Sequence, residues 1–458
     1  MPSTSIVIRT SRRHPIPGGA ADALVLDLLP TTAASTISAN LEQLVERAGA
    51  LPAVARELLL LASAVYVGDK VTPRDDAPDR WTRSFTVHAP ASDPAVWEMA
   101  TSDLREALRF LTGDHWDLRW RQEPTTIHRV RPRMRSRYDA VCLFSGGLDS
   151  FAGAIDLLED PARPRVLLIG HYDSAHTPGP QQRLAEALRG AYGGARLRLL
   201  QIRVRPAPRS QAQAAPLPAG REPSTRSRSL LFIALGIAAA AAIGPGVPLY
   251  VPENGFIALN VPLIRARLGS CSTRTTHPYF LDRLRAALDR LGISNPIHTP
   301  YADRTKGEML AGSRNPDLLG RYARETVSCA HPEAGRYIGA RPGNCGYCFP
   351  CLIRRGALHA VGADRADDYL WDVTSDMSLF EGTSARGHDA RALFIALQSS
   401  ADPLRDPTLA PLVAGPLPPG VDIRTAARVY EQGLAELRAW LLARSSGEVR
   451  QFAGLEDD

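Results

Sequence analysis

The stretch VCLFSGGLDSFAGAIDLL, residues 141–158, sets two glycines between an apolar strand-like run and an apolar helical run, with Ser145 before them and Asp149-Ser150 after. A strand that ends in Ser-Gly-Gly and turns directly into a helix presents successive backbone N–H groups at the positive end of that helix, where phosphate oxygens are stabilised. Ser145 and Ser150 add hydroxyl donors. Ionised Asp149 cannot donate to a phosphate, so its expected part is to hold Mg2+ or to orient the loop. The pattern G-x-x-x-x-G-K-[ST] is absent, which gives no support to γ-phosphate transfer of the P-loop type.

Four of the six cysteines cluster late, as C-x15-C-x2-C-x2-C at Cys329, Cys345, Cys348 and Cys351. In a reducing compartment such clustering favours a metal over disulfides. Four thiolates enclose Zn2+ tetrahedrally and leave no open coordination position, so the expected role is structural; a cysteine-ligated iron–sulfur cluster is the alternative. His331 is close in sequence but is expected at the surface, outside the ligand set.

FSGGLDS after a strand resembles the PP-loop of the N-type ATP pyrophosphatases. The resemblance implies a Rossmann-like doubly wound α/β fold of the HUP type, cleavage of ATP between its α and β phosphates, adenylation of a substrate oxygen, and release of the pyrophosphate cradled by the loop. With E-T-x-x-C at 325–329 and C-G-x-C-x-x-C-x-x-R at 345–354, it narrows to a resemblance to 7-cyano-7-deazaguanine synthase. Arg228-Ser229-Leu230-Leu231-Phe232 is similar to that family's R-N-x-x-F segment, and Thr299-Pro300 followed by Lys306 to its T-P with a downstream lysine. The matches span roughly residues 138–358, about half of the chain.

The resemblance implies that ATP activates 7-carboxy-7-deazaguanine, which ammonia converts through an amide to the nitrile. By position, Phe144, Ser145, Gly146, Gly147, Leu148, Asp149, Ser150, Phe151, Ala152, Gly153 and Ala154, with Arg228, would bind ATP and Mg2+, and the four cysteines zinc. Asp149 and Lys306 would be catalytic, the lysine offsetting negative charge that develops on the phosphates or the adenylate.

The family's G-Y-P-D-C-R substrate stretch has no counterpart here; VPENGFIALNVPLIRARLGSCSTRTTHPYF, residues 251–280, stands in its place. Glu253 and Asn254, expected at the carboxyl end of a strand, and Asn260, Arg265, Thr273, Arg274, Thr276 and His277 are the candidates for gripping a substrate, with loop hydrogen bonding and helix capping as their other reading. Cys271 is the cysteine a sulfur-transferring PP-loop enzyme would need, and burial is its other reading. Long flanks at both ends make the layout similar to the enlarged synthase-like proteins of bacterial anti-phage operons, the Qat type in particular. The partners this implies are a deazaguanine-like carboxylate and proteins of the same operon, with a protein amine as a second acyl acceptor besides ammonia. A tRNA-modifying PP-loop enzyme, of thiolase or lysidine type, and a nucleotide-binding scaffold are the other readings.

These residues need a scaffold. From residue 138, strand-like runs (YDAVCLFS, RPRVLLIGH, ARLRLLQIRV, VPLYVPE, NPIHTPY) alternate with helical ones, which predicts a parallel sheet with helices on both faces and ligands at the carboxyl ends of its strands. The expected division is an N-terminal α+β docking domain at 1–135, the PP-loop ATP-binding domain with its four-cysteine zinc segment at 136–358, and a helical C-terminal extension at 359–458. In the first, TSIVIRT, ADALVLDLL and RSFTVHAP read as strands; in the last, VDIRTAARVYEQGLAELRAWLLARS reads as an amphipathic helix. Residues 205–227, rich in proline, glutamine and alanine, are expected to be a mobile loop beside the site with little to bury.

Composition sets the outer bounds. With 458 residues, 44% hydrophobic and 22% charged, the chain has the make-up of a globular protein of several domains. Its net charge of +6 is spread without a basic run, which argues against a dedicated nucleic-acid arm and leaves a shallow basic groove open. Arginine carries nearly all of that positive charge: Lys70 and Lys306 are the only lysines. The N-terminus lacks the core of a secretory signal, and the alanine-rich run 230–244 is short for a membrane span, so a buried helix and a cytoplasmic location are expected.

Overall fold

Alternating apolar residues turn TSIVIR, LVLD and SFTVHAPA into strands with one buried face, and these assemble in the computed structural model into a first sheet of β1 (Thr4–Arg9), β2 (Leu24–Asp27), β4 (Ser84–Ala91) and β5 (His115–Gln122). The structure describes residues 3–20, 22–29, 35–127, 138–162, 165–175, 177–208, 217–224, 226–264, 274–381, 385–400, 402 and 404–455. The strand order is β2-β1-β4-β5 and every pair is parallel. An α+β arrangement was expected for this part of the chain. Helices supply the crossovers into β4 and β5: α2 (Ala53–Val71) precedes β4, and α3 (Pro94–Thr112), capped by Asp93, carries the chain from β4 to β5. β5 was not expected as a strand, because HWDLRWRQ mixes charged residues with Trp116, Leu118 and Trp120, the three that face the core.

β3 (Ile37–Ala39) leaves this sheet and pairs antiparallel with β8 (Leu197–Pro206) at the edge of a second one. Between β3 and α2 lies the short helix α1 (Glu42–Ala48). The second sheet also contains β6 (Ala140–Leu143), β7 (Val166–Tyr172), β9 (Leu249–Tyr250) and β10 (Ile297–His298), in the order β10-β9-β6-β7-β8-β3 and parallel except for β3. The chain moves from β6 outward through β7 to β8, then returns past β6 to β9 and β10. The direction of winding therefore reverses between β6 and β9.

Strands buried on both faces read as continuous apolar runs. Val141 and Leu143 of β6 and Leu167 and Ile169 of β7 face one core with α2 and α6 (Arg228–Ile243), whereas Ala140, Cys142, Val166 and Leu168 face another with α4 (Leu148–Glu159) and α5 (Pro178–Tyr192). The first core also contains Ile6, Ile8, Leu26, Phe85 and Val87, so the two sheets share one apolar interior. The apolar run at 230–244 is α6, buried in that interior, and no helix among the described residues is long and apolar enough to cross a membrane.

Short helices α7 (Gly255–Leu259), α9 (Lys306–Ala311) and α10 (Pro316–Tyr322) and the longer α8 (Pro278–Arg290) complete the second layer. Beyond them lie α11 (Phe349–Ala360), α12 (His388–Ser400), α13 (Leu409–Ala414), α14 (Ile423–Arg444) and α15 (Gly447–Ala453). α14 is the expected amphipathic helix; it starts where Asp422 accepts from the Arg424 and Thr425 N–H groups, and it packs on α11 and α7.

Residues 205–227 differ from expectation in their described part. Leu217, Glu222, Arg226 and Ser227 are buried, Glu222 accepts from the Arg74 N–H at 2.9 Å, and Ser227 donates its N–H to Asp69 at 3.2 Å. Composition hid this because the partners lie in the N-terminal sheet region, far away in sequence.

Candidate functional site

The expected anion loop begins where β6 ends. Phe144 donates its N–H to the Ile169 carbonyl of β7 at 2.7 Å, and α4 starts at Leu148, so residues 144–147 turn between two fixed elements. Gly146 adopts φ +85°, and a Cβ there would lie 3.1 Å from Gln181 Cγ; both facts call for glycine. Gly153, one turn into α4, lets Pro252 approach so closely that a Cβ would sit 2.2 Å from the proline's own Cβ. Phe144, Leu148, Phe151, Ala152 and Ala154 are buried in the core beneath the loop, so of these residues only backbone can meet a ligand.

Three contacts hold the loop from outside. Gln181 donates to the Ser145 carbonyl at 3.2 Å, Val327 N–H to the Gly146 carbonyl at 2.9 Å, and Ser328 Oγ accepts from Leu148 N–H at 2.9 Å. Within the loop, Ser145 Oγ accepts from Gly147 N–H at 3.2 Å, and Ser150 Oγ donates to the Gly147 carbonyl at 2.9 Å. Among the described residues, the N–H groups of Ser145, Gly146, Asp149 and Ser150 have no acceptor. Four unspent donors around one turn are what an anion requires.

Asp149 points from the first turn of α4 toward the winding reversal. Lys306 Nζ lies 3.0 Å from its Oδ1, with the lysine side chain 2% exposed. Asn254 Nδ2 donates to its Oδ2 at 2.6 Å, while Asn254 Oδ1 caps α7 by accepting from Ile257 N–H at 3.1 Å. Among the described residues Asp149 is the only carboxylate within ion-pair distance of the Lys306 ammonium. Glu253, next to Asn254 and just past β9, accepts from the hydroxyls of Thr275, at 3.0 Å, and Thr276. Burial pushes the Glu253 carboxyl above the usual range; Asp149 adds to that shift, and the Thr276 hydroxyl and Lys306 oppose it. Residues from four separate segments thus meet at the carboxyl ends of β6 and β9, the place where sheets of this winding order bind ligands.

The remaining candidates spread around this centre. Arg228, the first residue of α6, donates from Nε to His171 Nδ1 at 3.2 Å and from Nη2 to the His171 carbonyl at 3.3 Å, at the carboxyl end of β7. Burial pushes the His171 pKa down to about 3, with Arg228 adding to it, so the ring is neutral and its Nε2 donates to the Val204 carbonyl at 3.1 Å. Arg274 and His277 turn toward α3: Arg274 donates to the Phe110 carbonyl at 2.9 Å with its guanidinium 4.4 Å from the Phe110 ring, and His277 packs 4.8 Å from the same ring and caps α8 through Tyr279 N–H. Asn260 ends α7 in the left-handed region, φ +52°. Arg265, Cys271 and Thr273 lie outside the described residues.

The four cysteine sulfurs all lie within 4.8 Å of one another, with Cys329 to Cys348 at 3.8 Å and Cys345 to Cys351 at 3.9 Å. Tetrahedral Zn–S bonds of about 2.3 Å put sulfurs about 3.8 Å apart, so the cluster could hold a metal such as zinc. Backbone N–H groups of Ala330, His331, Cys345 and Cys348 point at the sulfurs at 3.3–3.4 Å, as they do around thiolates. His331 is exposed and stacks on Tyr347, outside the cluster. Cys142 is buried in β6, and burial raises its pKa to about 12, which makes it inert packing.

Sequence reasoning missed Gln181 and Ser328. Ser328 stood inside the quoted E-T-x-x-C and next to a cysteine, so its position was readable though its contact was not. Gln181 carried no local signal, since a polar residue on an amphipathic helix reads as solvated. No family model, curated protein or solved structure matches this chain.

Proposed function

We propose that the chain is an ATP-dependent, adenylate-forming ligase that activates a 7-deazaguanine-type carboxylate for attack by ammonia or a protein amine, in anti-phage defence. The observation that carries this reading is the meeting of Asp149 and Lys306 beside a loop of unspent N–H donors at the winding reversal. The parallel order β8-β7-β6-β9-β10, which is 3-2-1-4-5 in order along the chain, is that of Rossmann-like sheets and supports a PP-loop arrangement.

The chemistry follows from charge. The loop N–H groups take the oxygens of the departing pyrophosphate, so the loop needs no lysine of its own; Lys306, from a distant helix, supplies the fixed positive charge. Asp149 and Lys306 neutralise each other in the free protein. Asp149 would hold Mg2+ if it arrives with ATP, and the Lys306 ammonium, drawn off that carboxylate, would meet the phosphate oxygens. A substrate carboxylate oxygen bonds to the α-phosphorus as the bond to the bridging oxygen of pyrophosphate breaks. The amine nitrogen then bonds to the acyl carbon, AMP leaves, and the ammonium proton passes to solvent. The four cysteines would hold zinc with no open position left for substrate, and the ion would then serve as a structural clamp.

Purified protein with ATP, Mg2+ and 7-carboxy-7-deazaguanine is expected to release AMP and pyrophosphate and to consume the carboxylate. Release of ADP, or no turnover with any amine or operon protein added, overturns the reading. Elemental analysis is expected to find one zinc per chain and its loss in Cys348→Ser.

A further inference from the structure

The C-terminal helix α14 meets the turn that carries Lys306. Glu436 is 9% exposed and sends both carboxylate oxygens to that turn: Oε1 accepts from the Thr305 hydroxyl, and Oε2 accepts from Gly307 N–H at 3.2 Å. Thr305 is the N-cap of α9 and accepts in turn from Glu308 N–H at 3.1 Å, while Glu308 closes the capping box on Thr305 N–H at 2.8 Å. Gly307 leaves the room for this contact, since a Cβ there would sit 2.5 Å from Glu436 Oε1. Eight residues earlier on the same face of α14, Arg428 pairs with Glu308 and donates to the Asp303 carbonyl. Lys306 lies between the two residues Glu436 holds.

We infer that Glu436 is a positioning residue for Lys306, and that the C-terminal helical region is thereby part of the ligase site. The inference rests on the proposed reaction only for its kinetic consequence. A buried carboxylate on Thr305 and Gly307 fixes the first turn of α9, and the first turn fixes the direction in which the Lys306 ammonium reaches Asp149. Burying a carboxylate is costly unless its oxygens are used, and here both are. Removing the carboxylate frees the turn without touching substrate, so the effect falls on how the ammonium is aimed.

The chain has only two lysines, which makes the test direct. Amine acetylation of the intact protein, read by peptide mass spectrometry, gives the rate at Lys306 with Lys70 as the internal standard. In the parent, Lys306 should acetylate far more slowly than Lys70. In Glu436→Gln the Lys306-to-Lys70 ratio should rise at least fivefold, and in Thr305→Val likewise, whereas Thr305→Ser should retain protection. Where the parent forms AMP, kcat should fall at least tenfold in Glu436→Gln with KM for ATP changed less than twofold. Unchanged protection of Lys306 in folded Glu436→Gln and Thr305→Val overturns the inference. A parent that forms no AMP overturns the proposed function instead, and the acetylation ratio still decides the positioning. Equal protection with lower yield of folded protein would assign Glu436 to stability alone and overturn the inference too.

Discussion

Two centres of buried charge invite comparison. In the N-terminal region, Arg83 reaches Asp69 at 2.6 Å and Asp114 at 2.7 Å, and Arg74 grips both Asp114 oxygens at 2.9 Å while also donating to the Thr112 and Trp81 carbonyls. Ser227 adds its N–H to the second Asp69 oxygen. At the winding reversal, Lys306 forms an ion pair with Asp149 alone, among the described residues, and the loop beside it keeps four N–H groups in hand. Both centres are desolvated. One uses its donors on its own carbonyls and carboxylates, and the other holds donors in reserve. Near-saturation, with Arg74 Nε alone left at 3.8 Å from Glu222 and without a hydrogen bond, marks the first as structure; unspent capacity marks the second as the candidate site.

The saturated knot also explains what the N-terminal region does for the rest. It fixes Ser227, and the next residue, Arg228, opens α6 and holds His171 at the end of β7. Tyr66 of α2 reaches the same edge, donating to Asp173 at 2.6 Å. The shared core and the shared edge make the N-terminal sheet a buttress of the second one.

If the comparison is right, damage to the two centres separates stability from activity. Asp114→Ala takes from two buried arginines the carboxylate they share, and is expected to cost about 3–5 kcal/mol in urea unfolding while activity per folded molecule stays unchanged. Lys306→Met should do the opposite, lowering kcat for AMP formation about 10²- to 10³-fold, or about 3–4 kcal/mol, with a smaller loss of stability than Asp114→Ala. A Lys306→Met protein with full kcat would erase the distinction.

His277 sharpens it, lying beside Glu253 through Thr276 yet packed on Phe110. Burial pushes its pKa down to about 3 from 6.5, with Arg274 adding to it. Its contribution to stability is therefore fully present above pH 6.5 and is lost as the pH falls toward 3, because the unfolded chain takes up the proton and the folded ring does not. Between pH 7 and pH 5 that amounts to about 2 kcal/mol, and urea titrations of His277→Gln at the two pH values should show the difference reduced by this amount. An unreduced difference would mean that the ring accepts its proton in place. The smallest effect is expected from Ser328→Ala, about 1 kcal/mol of ATP affinity by calorimetry with the metal retained, since the loop loses one of three outside contacts and keeps the other two. A loss of metal in that variant would break the separation of clamp from cluster.

Much of the site was legible because its chemistry is local. Ser-Gly-Gly between an apolar strand and a helix, and cysteines two residues apart, take their geometry from neighbours in the chain. The sulfurs duly meet, and Gly146 has the positive φ that the turn needs. The parallel alternation after residue 138 was legible for the same reason, since strands buried on both faces must be apolar throughout. The parallel N-terminal sheet was not legible, because β5 carries charged residues on its outer face and pairs through a crossover that composition does not announce.

What the sequence determined by itself was thus the short-range chemistry: where a Ser-Gly-Gly turn, a four-thiol cluster and one of the two lysines stand. Only the tertiary structure decided which of them work together. Lys306 comes to Asp149, Ser328 carries the cysteine cluster to the loop, and Glu436 of the last long helix reaches the lysine's turn, each across a span that no local pattern encodes. The physical reason is that a polar side chain on an amphipathic helix looks the same whether it meets water or a buried partner. Packing of the apolar faces brings the partner there, and that packing is a property of the whole chain.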